Sequence, residues 1–156
     1  MEKKFKKSKK VVIGGTFDIL HDGHKALLGR AFGLGEVAIG LTSDVMAKKI
    51  KKRKIENFEQ RKKGLEDFIK KEFKVAPDIV KIEDKFGFTL AKDFDYIIVS
   101  PETYETAQLI NMERQKRKKK PIKIVKIKFV LAEDEKAISA KRISRGEIDR
   151  EGRLLK

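Results

Sequence analysis

Short apolar runs rich in β-branched residues alternate with longer amphipathic segments along this chain. The predicted strands comprise residues 11–13, 36–41, 80–82, 96–99 and 122–130. The predicted helices comprise residues 25–34, 58–73, 103–118 and 139–145. Strands separated by helices of about ten residues or more pair in parallel, because only a long crossover returns the chain to the same edge of a sheet. We therefore predict an α/β fold, a single doubly wound (Rossmann-like) domain with a parallel β-sheet and a site beyond the carboxyl ends of its strands.

The composition excludes several classes of protein. The chain has 156 residues, which suits one domain over 1–156, with a basic N-terminal extension over 1–9 that we expect to be flexible. The absence of cysteine excludes a disulfide scaffold, a thiolate nucleophile and Cys-ligated zinc. A hydrophobic content of 40% excludes a wholly disordered chain. No apolar run approaches the ~18 residues of a spanning helix, and the N-terminus does not resemble a signal peptide, so we expect a cytoplasmic protein without a membrane partner.

The charge is strongly positive. Lys and Arg number 39 against 24 Asp and Glu, a net charge of +15. A basic protein attracts polyanions such as nucleic acid, anionic membranes or small phosphorylated ligands. A surface that is simply rich in charge of both signs is the simpler interpretation, and charged residues do make up 40% of the chain. The charge alone therefore does not identify a partner.

The most informative segment is GGTFDILHDGH, residues 14–24, between a predicted strand and a predicted helix. The N-terminus of a helix offers unpaired N–H groups and a positive dipole end, which together bind phosphate. His21 and His24 are the two histidines of the chain, and their spacing allows both imidazoles to face one pocket. Gly23 leaves no side chain between them, and Thr16 supplies a hydroxyl donor. The segment predicts a site for a phosphate chain.

Two other interpretations of these histidines remain open. One histidine could cap the helix while the other is an ordinary surface or core residue. Alternatively, two histidines three residues apart could share a metal ion, with Asp18 and Asp22 nearby as further ligands.

The segment from Thr16 to His24 reads T-x-x-x-x-H-x-G-H and resembles the signature of the nucleotidylyltransferase superfamily. Other segments follow in the same order as in the archaeal type of phosphopantetheine adenylyltransferase, which the chain resembles over nearly its whole length. They are GLTSD at 40–44 with the basic run after it, VSPET at 99–103, Ile110-Asn111, and the tail from 138 to GEID at 146–149. The resemblance implies transfer of the adenylyl group of ATP to 4′-phosphopantetheine, with Mg²⁺ accompanying the ATP.

The resemblance also implies roles for individual residues. His24 would contact the α-phosphate, His21 the β- and γ-phosphates, and Thr16 would bridge the acceptor and the α-phosphate. A lysine of the basic run 48–54, for which we favour Lys49, would grip the acceptor phosphate. The full set expected to bind nucleotide is Gly15, Thr16, Phe17, His21, Gly23, His24, Pro101, Tyr104, Glu105, Ser139, Lys141 and Arg142.

The chain departs from the family pattern at its last helix. Two positions that usually carry hydroxyl groups are Ala140 and Lys141 here. The phosphate donors that remain there are Ser139, Lys141, Arg142 and the local N–H groups.

The first alternative function is transfer to a different acceptor. That acceptor would be glycerol phosphate for a cytidylyltransferase, or FMN or nicotinamide mononucleotide for an adenylyltransferase. A basic nucleic-acid-binding module is the second, but the lysine runs lack interleaved aromatic residues, so we expect no nucleic acid partner. The oligomeric state is left open, a monomer included.

Overall fold

The computed structural model describes residues 8–155 and contains one sheet of five parallel strands. The strands are β1 (Lys10–Gly15), β2 (Glu36–Thr42), β3 (Asp78–Ile82), β4 (Tyr96–Val99) and β5 (Lys123–Lys126). Their order across the sheet is β3-β2-β1-β4-β5, and every neighbouring pair runs in parallel. The chain reverses its direction across the sheet between β1 and β4, so a crevice opens at the carboxyl ends of these two strands.

Five helices accompany the strands. They are α1 (Asp22–Leu34), α2 (Asp44–Ile50), α3 (Phe58–Phe73), α4 (Tyr104–Lys116) and α5 (Ala140–Ser144). Side chains alternate across β1, so Val11 and Ile13 face one side of the sheet and Val12 faces the other. The first side is covered by α1 and α3 and the second by α4. Helices on both faces confirm the predicted doubly wound α/β fold.

The hydrophobic pattern predicted most elements but misjudged three. The helix α2 is not predicted, because the lysines at its end look like the start of a charged run. The predicted strand 122–130 is shorter, since β5 pairs only with the four residues of β4, and the last ladder bond is that from the N–H of Ile127 to the carbonyl of Val99. The helix α1 begins three residues earlier than predicted, which places His21 at its N-cap and His24 in its first turn.

Residues beyond β5 form a small separate core. Ala132, Ile138 and Ile148 are buried against each other, and short antiparallel bridges join Leu131 to Ala137 and Ile148 to Leu154. Residues 1–7 of the extension that we expected to be flexible lie outside the described residues. Within 8–155, no helix is long and apolar enough to cross a membrane.

Candidate active site

The two histidines together cap the N-terminus of α1. His21 is the N-cap residue, and its Nδ1 accepts the backbone N–H of Gly23 at 3.0 Å. The Nδ1 of His24 accepts the backbone N–H of His21 at 3.2 Å. This reciprocal pair is a capping box in which imidazoles stand where hydroxyl and carboxamide groups usually do. The interpretation that one histidine caps the helix is therefore correct for His21, but His24 is not an ordinary surface or core residue, because it takes part in the cap as well.

The capping contacts fix which nitrogen of each ring carries the proton. An Nδ1 that accepts a hydrogen bond has no proton, so the neutral ring carries it on Nε2. Among the described residues neither Nε2 has a hydrogen-bond partner, and neither is completely buried. The ring centroids of His21 and His24 are 4.0 Å apart. The start of α1 thus presents two adjacent Nε2–H donors, besides the N–H groups of its first turn.

Both imidazoles are held in the neutral form. The pKa of His21 is lowered to about 4, chiefly by burial; the negative charge of Asp18 opposes this shift, and the positive charges of Arg150 and Lys51 contribute to it. Burial also lowers the pKa of His24 to about 3, with His21 and Lys51 adding to the effect. Protonation would in addition break the bond that each Nδ1 accepts. At neutral pH the pair therefore donates hydrogen bonds without carrying charge.

The backbone before α1 brings other groups close to the histidines. Phe17 has a positive φ of 48°, which is unfavourable for a side chain of its size, and its buried ring lies 5.2 Å from that of His24. At Gly23, a Cβ would lie 2.7 Å from Cε1 of His21. A glycine is therefore required for the His21 ring to lie over the start of the helix.

A hydrogen-bond network joins the carboxyl ends of β1 and β2. The hydroxyls of Thr42 and Thr16 are 3.1 Å apart, and Nη1 of Arg61 donates to both the Thr42 hydroxyl and the Thr16 carbonyl at 3.1 Å. Arg61 also donates to the carbonyls of Thr42 and Glu56 and to Asp44. Arg61 is only 1% exposed, and its bond to the Thr16 carbonyl holds Thr16 beside the crevice, while its other four bonds fix the guanidinium.

The C-terminal tail contacts the same turn. The carbonyl of Arg150 accepts the N–H of Asp22, an N–H in the first turn of α1 that has no partner within the helix. The Arg150 side chain donates to the carbonyl of Leu20 at 3.1 Å. The tail containing GEID thereby anchors the histidine turn and brings a guanidinium near His21.

The basic run after β2 approaches the histidines from one side. Lys49, which the sequence favoured for the acceptor phosphate, lies exposed on α2. Lys51, just past the end of α2, is the lysine whose charge acts on both imidazoles. Arg53 pairs with Asp18 at 2.7 Å, and its Nη1 is buried with no partner in the described structure. The geometry therefore favours Lys51 and Arg53, at the end of this run, over Lys49, near its beginning, as candidate contacts for the acceptor phosphate.

The residues predicted to bind the other parts of a nucleotide lie on two further segments. Pro101 follows β4, and Tyr104 and the exposed Glu105 begin α4, so all three lie at the carboxyl edge of the sheet next to β1. The ammonium of Lys126 lies 4.5 Å from the centre of the Tyr104 ring.

The start of α5 carries the remaining predicted residues. Ser139 is its N-cap and accepts the N–H of Arg142, while Lys141 is exposed. The Arg142 guanidinium is bound to Asp134, Glu147 and the carbonyl of Ala137. Arg142 therefore stabilises this part of the chain and has little donor capacity left for a phosphate.

Sequence reasoning missed Thr42, Arg61 and Arg150 as residues that shape this site, and within the run 48–54 it favoured Lys49 over Lys51. One signal was available for Arg61: it lies on the apolar stripe of α3 with Phe58, Leu65 and Ile69, where a charged residue needs internal partners. No pattern in the sequence indicates that the carbonyl of Arg150 meets the start of α1.

Comparison with known proteins agrees with this geometry. The model of the cytidylyltransferase-like family matches residues 12–146. A phosphopantetheine adenylyltransferase of Methanosarcina mazei is 49% identical over 154 residues, covering 94% of this chain and 97% of that protein. One of Archaeoglobus fulgidus is 45% identical, covering 94% and 99%. A solved structure of a protein with unknown function from Archaeoglobus fulgidus is 42% identical, with a TM-score of 0.73 over 76% of this chain and 88% of that one. The chain belongs to the cytidylyltransferase-like family and, within it, groups with archaeal proteins named phosphopantetheine adenylyltransferase.

Proposed function

We propose that this protein transfers the adenylyl group of ATP to 4′-phosphopantetheine, which yields dephospho-coenzyme A and pyrophosphate. The archaeal relatives that match over nearly their full length carry the name of this activity. The observation that carries the proposal in the structure is the pair of neutral Nε2–H donors at the N-terminus of α1. Donors placed at a helix N-terminus suit the phosphate chain of a nucleotide.

The reaction needs no nucleophile from the protein. The phosphate of the acceptor is already an anion, and it attacks the α-phosphorus of ATP in line as pyrophosphate leaves. The protein then accelerates the reaction by positioning the two substrates and by stabilising the negative charge on the phosphoryl oxygens. In our proposal His24 donates to the α-phosphate, His21 donates to the β- and γ-phosphates, and Thr16 bridges the acceptor and the α-phosphate.

The neutral state of the histidines suits this task. A neutral imidazole donates its Nε2–H and loses no proton to solvent when the pH varies around neutrality. Its donor is aligned before substrate arrives, because the Nδ1 contacts hold each ring. Donors that need not reorganise stabilise developing charge more effectively than solvent does.

We propose that cations at the end of the basic run hold the acceptor phosphate. Lys51 is near both imidazoles, and the unpartnered Nη1 of Arg53 is a donor that an anion could satisfy. Lys49, the residue favoured by the sequence, remains a prediction. Comparing K49A with K51A decides between them: the variant of the gripping lysine should raise the KM for 4′-phosphopantetheine at least tenfold and leave the KM for ATP unchanged.

The other end of the nucleotide has three candidate contacts. Pro101, Tyr104 and Glu105 are proposed to contact the adenine and ribose, because they follow β4 at the edge of the crevice. Gly15, Phe17 and Gly23 shape the backbone near the phosphates. Ser139 and Lys141 at the start of α5 are proposed as further phosphate contacts; Arg142 would contribute chiefly by holding that segment in place.

Mg²⁺ is proposed to accompany ATP. Residues 8–155 contain no group of three or more His, Cys, Asp or Glu side chains placed to hold a metal ion, and Asp18 is paired with Arg53. The residues present fit an ion bound mainly through phosphate oxygens and water, a coordination that Mg²⁺ favours. When bound, the ion would neutralise charge on the triphosphate, and the histidines supply the directional contacts.

We propose that the partners are ATP and 4′-phosphopantetheine rather than nucleic acid or membrane, and that the reaction takes place in the cytoplasm.

A test with several pairs of substrates distinguishes this activity from the related activities of the family. The purified protein should be incubated with Mg²⁺ and four pairs of substrates: ATP with 4′-phosphopantetheine, ATP with FMN, ATP with nicotinamide mononucleotide, and CTP with glycerol phosphate. Mass spectrometry of the products should detect dephospho-coenzyme A. Product from another pair alone would refute the choice of acceptor but not the family's chemistry.

The variant H24A tests the role of the histidines directly. Loss of a donor to the transition state typically lowers turnover by about 10²–10³-fold. We expect H24A to reduce kcat by that factor while calorimetry still detects ATP binding. Turnover near that of the wild type would contradict the assignment of His24. Retention on heparin with a steep salt dependence, and no product from any pair, would instead support the nucleic-acid-binding alternative.

A further inference from the structure

We propose that Thr42 is a positioning residue that, together with Arg61, makes the hydroxyl of Thr16 a hydrogen-bond donor to the reacting phosphates. This inference rests on the proposed function, in which the Thr16 hydroxyl contacts the phosphoryl group being transferred. Thr42 lies on β2, outside the glycine-rich turn, and was not among the residues predicted from the sequence.

Counting protons fixes the direction of the network. Arg61 has only donors, so the oxygen of the Thr42 hydroxyl must accept from its Nη1. Thr42 is 2% exposed, and its own hydroxyl proton has one acceptor among the described residues, the Thr16 hydroxyl oxygen at 3.1 Å. If Thr16 donated to Thr42 instead, that buried proton would have no acceptor, which is unfavourable. Thr42 therefore donates and Thr16 accepts.

The consequence concerns the proton of Thr16. Because its oxygen receives the bond from Thr42, the Thr16 hydroxyl must direct its own proton elsewhere, and no acceptor for that proton lies among the described residues. Thr16 is 7% exposed, against 2% for Thr42, and lies at the carboxyl end of β1 beside the crevice, where a bound phosphate could accept the proton. The positive charge of Arg61 polarises the chain of hydroxyls in the same sense, which strengthens the last donor. The carbonyl of Thr16 is bound to the same Nη1, so the backbone of this residue is fixed as well.

A contribution to folding alone would have a different signature. A structural contact between β1, β2 and α3 would affect stability and would affect turnover independently of Thr16. A positioning role acts through Thr16, so removing the Thr16 hydroxyl should abolish the effect of Thr42 on turnover. A double-mutant cycle separates the two cases.

The cycle comprises wild type, T16V, T42V and T16V/T42V, with T42S as the variant that restores the hydroxyl. We expect T16V to lower kcat for dephospho-coenzyme A formation by about 10²-fold and T42V by about tenfold. The double variant should match T16V, and T42S should stay within about threefold of wild type. The KM for ATP should change little in T42V, since the effect lies in the transition state.

The control for loss of a buried hydroxyl is T89V. Thr89 is also buried and donates to a backbone carbonyl, but it lies near α4 and outside the proposed site. T89V should lower the thermal unfolding temperature without changing kcat. If T42V lowers kcat no more than T89V, or if the effects of T16V and T42V multiply in the double variant, the positioning role is refuted. If the wild type forms no dephospho-coenzyme A, the proposed function itself fails, and the two failures are thereby distinct.

A second measurement applies if T42V does not fold at the assay temperature. The hydroxyl proton of Thr42 in the wild-type protein should exchange slowly enough for detection by NMR, and it should show a nuclear Overhauser effect to the side chain of Thr16. T16V should shift this resonance. A Thr42 hydroxyl proton that exchanges rapidly, or that does not respond to T16V, would overturn the inference.

Discussion

Replacing the histidine capping box with the other capping box of this chain tests whether the imidazoles are held neutral. At the start of α3, the side chains of Asn57 and Gln60 each accept the backbone N–H of the other residue. At α1 the His24 side chain accepts the N–H of His21 in the same way, while the His21 side chain accepts the N–H of Gly23. Asn and Gln accept the same backbone bonds but do not titrate between pH 4 and 9. The variant H21N/H24Q should therefore keep the start of α1 and lose both titratable rings.

The expected effect on stability has a defined sign and size. Burial lowers the pKa of His21 to about 4 and that of His24 to about 3, whereas an imidazole in the unfolded chain stays near 6.5. Below pH 6.5 the unfolded chain therefore binds more protons, and the free energy of unfolding falls as the pH decreases towards 4. Between pH 8 and pH 5.5 the loss is at most about 1.4 kcal/mol for each histidine. Since neither Nε2 is completely buried, we expect about 2 kcal/mol for the pair.

Denaturant unfolding at the two pH values measures this loss. The chain contains two histidines, so no other imidazole contributes to the change. The wild type should lose about 2 kcal/mol more than H21N/H24Q between pH 8 and pH 5.5 at equal salt, because only the wild type has imidazoles that must stay neutral. Equal losses in the two proteins would show that the rings titrate alike in folded and unfolded states, and the argument for neutral donors would fail.

Two further substitutions test the local geometry. G23A places a Cβ 2.7 Å from the His21 ring, so the ring must move. We expect turnover to fall by more than about tenfold while the far-UV circular dichroism spectrum stays unchanged. Native turnover in G23A would contradict the close approach of the His21 ring to Gly23. R61A leaves three carbonyls and the Thr42 hydroxyl without their donor and should lower the free energy of unfolding by about 3–5 kcal/mol in chemical denaturation. K63A, which removes an exposed ion pair on the same helix, should produce no measurable change, and a similar effect of both variants would refute the reasoning.

The fold was predictable because its strongest determinants are local patterns. The buried strands at 11–13 and 96–99 and the amphipathic helix at 58–73 follow from hydrophobic spacing alone. The errors arose where tertiary pairing decides the outcome. The run 122–130 has the composition of a long strand, but it lies at the edge of the sheet and ends where its short partner ends. The helix α2 depends on the N-cap Ser43, whose side chain accepts the N–H of Met46, more than on an apolar stripe.

The candidate site was predictable only in its local part. The turn from Thr16 to His24 is contiguous, so spacing alone predicted that both imidazoles would meet at the start of a helix. Thr42, Arg61 and Arg150 reach that turn from β2, α3 and the tail, through contacts that span 26 to 130 residues of sequence. No local pattern encodes such contacts. Arg142 is an example of the opposite error. An arginine at this position suggests a phosphate ligand, but its guanidinium is already paired with Asp134 and Glu147.

The sequence left helix capping and ligand binding as alternative explanations of the two histidines, and the structure shows that one ring can fulfil both roles. An imidazole has two nitrogens that point in different directions, so Nδ1 can accept the backbone N–H of a capped helix while Nε2–H remains available. The cap keeps each Nδ1 unprotonated, and a neutral ring must then carry its proton on the nitrogen that faces outward. Ser or Asp at the same positions could accept the backbone bonds, but the Ser hydroxyl would reach less far as a donor and an ionised Asp would offer no donor. The contact that starts α1 is thus the same contact that prepares the donors, and a variant that disturbs the cap should alter phosphate binding even when the helix survives.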